Sequence, residues 1–339
     1  MSRAYLAFTE KGMALAHRLA RALPGSVSRC GAGGVRLAEW TSTQFAQADA
    51  LIFVGAAGIA VRAIAPHCKS KATDPAVVVL DECGRFAVPL LSGHLGGANA
   101  LARALAEACG AIPVITTATD ANGVFAVDEW AKAQGCAVLE PERIKPVSYT
   151  HLTLAGHTVR LASDWPVQGT PPAGVALAGA GETADFALTL TPGKTAPEAL
   201  HLVPRIGVLG VGCKRGTTAD QLEAAFAAFC AAHGLAPAGI RGAASIDLKQ
   251  DEPGLAAFCA AHGWPITFYT ARQLQAVEGH FTPSAFVRSV TGVDNVCERA
   301  AVCAADGPLQ VPKQAGGGVT LALAAKPFAP DWSWKDAEP

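Results

Sequence analysis

Short apolar runs alternate with stretches whose apolar residues recur every three or four positions, and this alternation predicts strands and helices in turn. Ala4–Phe8 reads as a strand. Met13, Ala16, Leu19, Ala20 and Leu23 follow at helical spacing until Pro24-Gly25 stops them. Ala50-Leu51-Ile52-Phe53-Val54 is an apolar run broken at Gly55. Behind it Ile59, Val61 and Ile64, closed by Pro66, predict a short helix. Val77–Leu80 and Phe86–Leu91 predict two further strands, Gly96–Cys109 an alanine-rich helix, Ile112–Ile115 a strand, and the region around Val127–Ala133 a helix.

Between about 131 and 203 the pattern weakens. Pro141, Pro146, Pro166, Pro171-Pro172, Pro192 and Pro197 punctuate short strand-like pieces such as Thr158–Leu161 and Phe186–Leu190. Regular alternation resumes at Arg205, with strands at Ile206–Val211, Ile240–Ala244, Ile266–Tyr269 and Val319–Ala324. Helices are predicted over Thr218–His233, Gly254–His262 and near 271–277 and 294–305, the first of them started by the capping box Thr218-x-x-Gln221. The whole reads as α/β: an N-terminal α/β sheet domain (1–130), a small Pro-rich middle module and linker (131–203), a C-terminal α/β sheet domain (204–326) and a loose tail (327–339).

Composition narrows the function classes. The 339 residues exceed what one core usually holds. Half are hydrophobic and only 16% are charged, a ratio suited to sheets covered on both faces. A net charge of −1 with no basic run argues against nucleic acid as a partner. No apolar run reaches the ~18–20 residues that span a bilayer, and the N-terminus lacks a signal peptide's basic region and apolar core. Ten scattered cysteines without a C-x-x-C pair predict buried or incidental thiols in a reducing cytoplasm, with no disulfide framework and no metal site.

Candidate chemistry gathers in glycine-rich turns. Ser92-Gly93-His94-Leu95-Gly96-Gly97-Ala98-Asn99 lies between a strand and a helix, where backbone can approach a ligand and helix-start N–H groups are unpaired. His94 there is either an acid/base near neutral pH or a cap for the helix start. Thr116-Thr117-Ala118-Thr119-Asp120 follows a strand at its carboxyl end, where open α/β sheets bind ligands; a capping turn explains it equally well. Lys69, Lys71 and Asp74 form a loop that either meets carboxylates or is merely solvated. Gly207–Thr218 resembles a phosphate loop but fails both nucleotide fingerprints, since Lys214 does not follow a glycine and Gly216 is misplaced by one residue. What remains is a cationic, glycine-rich helix start. Ala244–Glu252 places Ser245, Asp247, Lys249 and Glu252 just after a strand, and Glu298 reads as a helix-face residue.

In order along the chain, these segments are similar to the CbiG family of cobalt-precorrin-5A hydrolases, which act in anaerobic cobalamin biosynthesis. The likeness rests on Gly55–Pro66, Lys71-x-x-Asp74-Pro75-Ala76-Val77, Asp81-Glu82-x-Gly84, Leu91–Asn99 and Thr116–Asp120 in the first half. In the second half it rests on Gly210-x-Gly212-Cys213-x-Arg215-Gly216-Thr217, Ala244-Ser245-Ile246-Asp247-x-Lys249-x-x-Glu252-x-Gly254-Leu255 and Val296-x-Glu298-x-Ala300-Ala301. It runs from about 50 to 325, loosely through the middle module. The resemblance implies that water opens a δ-lactone joining the ring A acetate to C20 of a cobalt tetrapyrrole, and that the C20 unit leaves as acetaldehyde. For these steps His94 is expected as general base, with Asp120 or Asp128 orienting it or sharing the role. Backbone N–H groups at Gly96-Gly97 or Gly212–Thr217 would form the oxyanion site, and Arg62, Lys71, Lys214, Arg215 and Lys249 would grip substrate carboxylates. Asp74, Ser92, Asn99, Thr116, Thr117, Thr119, Gly216, Ser245, Asp247 and Glu252 complete the expected substrate-binding set. No protein-bound cofactor is implied, because the substrate carries the cobalt. Expected partners are the cobalt tetrapyrrole and, transiently, neighbouring pathway enzymes that hand it over, with no membrane; a homodimer stays open. The rival readings are a corrinoid carrier without chemistry and, from glycine-rich turns alone, a nucleotide-dependent oxidoreductase.

Overall fold

The computed structural model describes residues 1–70, 73–94, 96–117, 120, 124–144, 146–147, 157–179 and 181–333. Two units divide the chain: the first takes Met1–Ala133, Ile144–His157 and Ser333–Pro339, the second Gln134–Arg143 and Thr158–Trp332.

The first unit is a six-stranded sheet with helices on both faces. Its strands are β1 (Arg3–Ala7), β2 (Ser26–Arg29), β3 (Ala50–Val54), β4 (Ala76–Leu80), β5 (Phe86–Leu91) and β6 (Ile112–Pro113), in the order β2-β1-β3-β4-β5-β6. Its helices are α1 (Glu10–Ala22), α2 (Leu37–Gln47), α3 (Ala57–Ile64), α4 (Ala98–Cys109) and α5 (Val127–Ala133). Side chains alternate across a strand, so neighbouring residues serve opposite cores. Tyr5, Ile52 and Val78 are adjacent in register and pack with Leu15, Leu19, Leu101 and Leu105 of α1 and α4. The next row, Leu6, Phe53 and Val79, packs with Trp40, Ala60 and Ile64 of α2 and α3. Because both faces are covered, β3 and β4 are apolar without interruption. Strands β1 to β4 are parallel, β5 runs antiparallel to β4, and β6 parallel to β5. The carboxyl ends of β5 and β6 therefore lie on the edge opposite those of β1, β3 and β4.

The second unit holds two sheets. One contains β7 (Cys136–Val138), β8 (Val159–Ser163), β9 (Val175–Leu177), β10 (Phe186–Leu188) and β11 (Leu200–Pro204), ordered β7-β11-β10-β8-β9, with only β7 antiparallel. The other contains β12 (Gly207–Cys213), β13 (Ile240–Ile246), β14 (Ile266–Tyr269), β15 (Leu309–Gly316) and β16 (Val319–Ala325), ordered β14-β13-β12-β16-β15. Helices α6 (Ala219–His233) and α7 (Pro253–Ala261) cover one face of it through Leu222, Phe226 and Phe258. The short helices α8 (Ala271–Gln275) and α9 (Ala285–Thr291) and then α10 (Cys297–Ala305) follow, and α10 packs Ala300 and Ala301 on the other face. Gly210 permits that contact, since a Cβ there would lie 1.8 Å from the Cys297 carbonyl oxygen.

Most expected elements occur within a residue or two of their predicted bounds. The expected strand Ile112–Ile115 stops at Pro113, although the Val114 N–H still reaches the Ala87 carbonyl at 2.9 Å; Pro113 is tolerated because it lies on an edge strand, where its missing N–H faces away from β5. β2, α2, β7, β9, β11, α9 and β15 are additions. The stretch 131–203, whose pattern promised only fragments, supplies all five strands of a sheet save the last residue of β11. Among the described residues no helix is long and apolar enough to cross a membrane.

Candidate functional site

Strand β5 ends at Leu91 and α4 begins at Ala98, leaving a tight connection that carries His94. Ser92 has φ +55°, an unusual conformation for a residue with a side chain. Its hydroxyl donates to the Asp74 carbonyl at 2.9 Å, which ties the turn to the preceding loop. Gly97 precedes α4 with φ +84°, and a Cβ there would run into the Lys132 ammonium. The turn thus needs glycine at that position both for its backbone and for its neighbour.

Three carboxylates converge on His94. Its Nδ1 lies 3.2 Å from Asp128 Oδ2, and its Nε2 lies 3.2 Å from Asp120 Oδ2 and 3.6 Å from Glu129 Oε1. Asp120 is held in turn by Arg103, by the Thr117 hydroxyl and by Asn99 Nδ2 at 3.0 Å; that amide also donates to Thr117 Oγ1 at 3.1 Å. Asn99 Oδ1 is buried with no hydrogen-bond partner among the described residues. All four ionisable groups facing one another are largely buried, with His94 only 13% exposed.

Burial alone would lower the His94 pKa, but hydrogen bonds to Asp120 and Asp128 and the charges of Asp128 and Glu129 overcome it and raise the pKa to about 10. For Asp120, burial pushes upward and is outweighed by His94, Thr117 and Arg103, which hold the carboxyl well below the usual range. Burial raises Glu129 and lowers Lys132. At neutral pH the cluster is an imidazolium embedded among carboxylates. Among the described residues, His94, Asp120 and Glu129 also form the one grouping whose ligand atoms, all within 4.8 Å, could hold a metal ion. Such an ion would have to displace the Nε2 proton and compete with Arg103 for Asp120.

Of the other expected residues of the first unit, Asp74 and Arg62 hydrogen-bond elsewhere. Asp74 accepts from the Lys69 and Ser70 N–H groups at 2.8 and 3.1 Å and so shapes its own loop. Arg62 is exposed and reaches the Gly58 carbonyl at 3.3 Å. Thr116 is exposed, and Gly96 lies in the His94 turn. Lys71 and Thr119 lie outside the described residues. Sequence reasoning did not single out Arg103 or Glu129.

In the second unit, a cavity of about 660 Å³ opens beside the β12–α6 connection and is lined by Gly212, Lys214, Arg215 and Lys249 from the expected set. The remaining expected residues there build the wall. Glu252 accepts from the Gly216 N–H and from the Lys249 ammonium, each at 2.9 Å. The Thr217 hydroxyl donates to the Lys214 carbonyl at 2.8 Å, and the buried Ser245 hydroxyl to the Val211 carbonyl at 2.7 Å. Asp247 accepts from the Leu248 N–H at 2.9 Å. Lys313, Phe286 and Val290, which sequence reasoning did not single out, also line the cavity.

Two family descriptions fit these two halves. Residues 39–120 match the model described as cobalamin synthesis G N-terminal, and residues 207–324 the model described as cobalamin synthesis G C-terminus. A cobalt-precorrin-5A hydrolase of Salmonella typhimurium is 35% identical over 348 residues, spanning 95% of this chain and 97% of that protein. The chain belongs to the CbiG family of cobalt-precorrin-5A hydrolases. Another CbiG relative, a cobalt-precorrin-5A hydrolase of Priestia megaterium, is 32% identical over 82% of this chain and 79% of its own length. Protein CobE of Sinorhizobium sp. is 36% identical over 120 residues, which is 34% of this chain but 78% of CobE. Within this CbiG chain, the motif residues divide between a buried acid/base cluster in the first unit and a cationic cavity in the second.

Proposed function

We propose that this chain is a cobalt-precorrin-5A hydrolase of anaerobic cobalamin biosynthesis. It opens the δ-lactone with water and releases the C20 unit as acetaldehyde to give cobalt-precorrin-5B. The observation that carries this reading is likeness to a hydrolase of that name along almost the full length of both chains. The His94 cluster supports it, because lactone opening and C–C cleavage each move protons.

In the first step water oxygen bonds to the lactone carbonyl carbon, the acyl C–O bond breaks, and the C20 oxygen takes up a proton. In the second step the C20 hydroxyl loses its proton as it becomes the aldehyde carbonyl. The bond from C20 to the macrocycle breaks with its electrons on the macrocycle, which is then protonated. His94, cationic at neutral pH, suits the donor to the departing C20 oxygen better than the first acceptor. Glu129, whose pKa burial raises, is the carboxylate matched to take the proton from water. Asp128 fixes the imidazole through Nδ1, and Asp120 holds the other edge. His94 becomes a general base only after its first donation, which leaves it neutral for the second step. No resident metal is needed in this scheme, because the imidazolium, Arg103 and Lys132, which feels the charge of Glu129, stand against the three carboxylates.

The ten cysteines are all unpaired, which supports a reducing, cytoplasmic setting. Handover of the macrocycle to neighbouring pathway enzymes and a homodimer are further parts of the proposal, to be examined by sizing and by channelling assays. The deciding experiment incubates purified protein with cobalt-precorrin-5A, with and without a chelator of free divalent ions, and measures acetaldehyde. Release is expected in both arms. Release at the no-enzyme level would overturn the hydrolase reading, and loss in the chelator arm alone would overturn the metal-free scheme.

A further inference from the structure

The cavity of the second unit has a distinctive chemical signature. Four cations line it, Lys214, Arg215, Lys249 and Lys313, and no Asp or Glu does. This occurs in a chain that as a whole carries slightly more acidic than basic residues. Three carboxylates stand behind the wall, one fewer than the cations: Glu252 is bound to Lys249, Asp247 accepts from the Leu248 N–H, and Glu298 is fully buried and accepts from the Thr282 and Lys313 N–H groups and from Asn295 Nδ2. Among the described residues Lys313 Nζ hydrogen-bonds only the neutral Thr282 carbonyl, at 3.1 Å, and neither Lys214 nor Arg215 makes an ion pair. Positive charge is thus left over at the cavity.

Most of the remaining lining is apolar, with Ser284, Thr291, Asn295 and Thr320 the polar exceptions, and part of the apolar surface is exposed at a cost. Phe286 is 76% exposed, Val290 62% and Leu248 60%, and all three belong to this cavity. Phe286 and Val290 stand one helical turn apart on α9, so they present a single apolar stripe. Large exposed side chains gathered on one site mark a binding surface rather than chance. Its volume falls within the range of small-molecule sites. A flat apolar body with several carboxylate arms satisfies both halves of this signature. A nucleotide fits it less well, because the glycine-rich loop beside it lacks either nucleotide fingerprint.

We infer that this cavity binds a corrinoid polycarboxylate by its macrocycle face and peripheral carboxylates, and that it holds the lactone-free macrocycle as well as the substrate. The inference rests on the proposed hydrolase reading for its ligand class and goes beyond it. Apart from the ring A acetate, which the reaction frees as a further carboxylate, the peripheral carboxylates recognised are unchanged by the reaction, so the second unit retains product after the first unit's chemistry is over. That gives the chain a holding site for handover.

The test uses the full chain and dicyanocobyrinic acid, a heptacarboxylate without the lactone whose cobalt is capped by cyanide on both sides, so that no side chain can bind through the metal. Calorimetric titration is expected to show binding that weakens as salt rises from about 50 to about 500 mM. Lys214→Ala/Arg215→Ala and Phe286→Ser/Val290→Ser should each weaken it by about tenfold or more. The heptamethyl ester, with the same macrocycle and no charge, should bind at least as poorly as the acid does to the Lys214→Ala/Arg215→Ala variant. A control, Arg21→Ala/Arg36→Ala, removes two exposed charges from the first unit and should match wild type. Circular dichroism confirms folding of each variant. The inference is overturned if both cavity variants bind within about twofold of wild type, or if acid and ester bind alike. Its failure is separable from that of the hydrolase reading: a wild-type protein that binds the acid through Lys214 and Arg215 but releases no acetaldehyde sinks the latter alone. One that releases acetaldehyde while its binding ignores the cavity variants sinks only the former.

Discussion

At the scale of residues, His94 shows what glycine context reveals and what it hides. Three glycines around one histidine marked the position as unusual, and Asp120 and Asp128 were expected nearby. Arg103 and Glu129 were invisible, because a charge on an alanine-rich helix looks the same whether it faces water or a buried imidazole. Glu129 acts with Asp120 and Asp128 to convert an expected neutral base into a cation, while Arg103 acts on Asp120. Stability should follow. A histidine with its folded pKa raised from 6.5 to about 10 contributes stability fully present below pH 6.5, where the unfolded imidazole is charged too. That contribution drains away as pH rises from 6.5 through about 10. Melting temperatures of wild type and His94→Asn, compared at intervals between pH 6 and pH 10.5, should therefore converge with rising pH. A constant gap across that window would refute a cationic His94. On the acid side Asp120, with its pKa depressed, withdraws its contribution only as pH falls below the ordinary carboxylate range.

At the scale of elements, strands buried on both faces were legible and edges were not. β3 and β4 are continuous apolar runs and announce themselves. β2 and β15 lie at sheet edges with mixed, half-exposed residues, so no period stands out. α9 was missed for the opposite reason: Phe286 and Val290 face outward while Val287 alone packs on a core, and outward apolar residues do not follow a core's pattern. Glu298 is the sharpest case. Sequence made it a helix-face residue, yet it is 0% exposed near the start of α10. Its two oxygens accept from the Thr282 N–H at 2.7 Å, the Thr282 hydroxyl at 3.0 Å, Asn295 Nδ2 at 2.6 Å and the Lys313 N–H at 2.6 Å. One carboxylate thereby joins the segment before α9, the approach to α10 and β15. Glu298→Gln puts an amide NH₂ against donors and should cost about 1–3 kcal/mol for each donor left without an acceptor. Urea unfolding of that variant, followed by circular dichroism, measures the loss. Stability equal to wild type would mean that the anchor is dispensable.

At the scale of the molecule, composition and motif order carried different information. Half-hydrophobic, charge-poor composition foretold covered sheets, and the order of glycine-rich motifs foretold the family. Neither could say that the motifs of the two halves serve unlike chemistry, because both are built from glycine, hydroxyls and ions in turns. The cores make the division physical. The clusters around Tyr5 and Phe53 draw only on the first unit, and those around Phe226 and Ala300 only on the second. Chains with separate cores commonly depart from two-state unfolding. The pH effect of His94 belongs to the first unit, and the stabilisation expected from dicyanocobyrinic acid belongs to the second, since a ligand stabilises the fold that binds it. Scanning calorimetry should resolve two transitions. Raising pH from 7 to 9 should lower one of them, and that difference should be absent in His94→Asn. Adding the corrinoid should raise the other and leave the first in place, with the shift lost in Lys214→Ala/Arg215→Ala. A single transition that both perturbations move together would mean that the two cores unfold as one, and that macrocycle binding is felt by the acid/base cluster as directly as by the cavity.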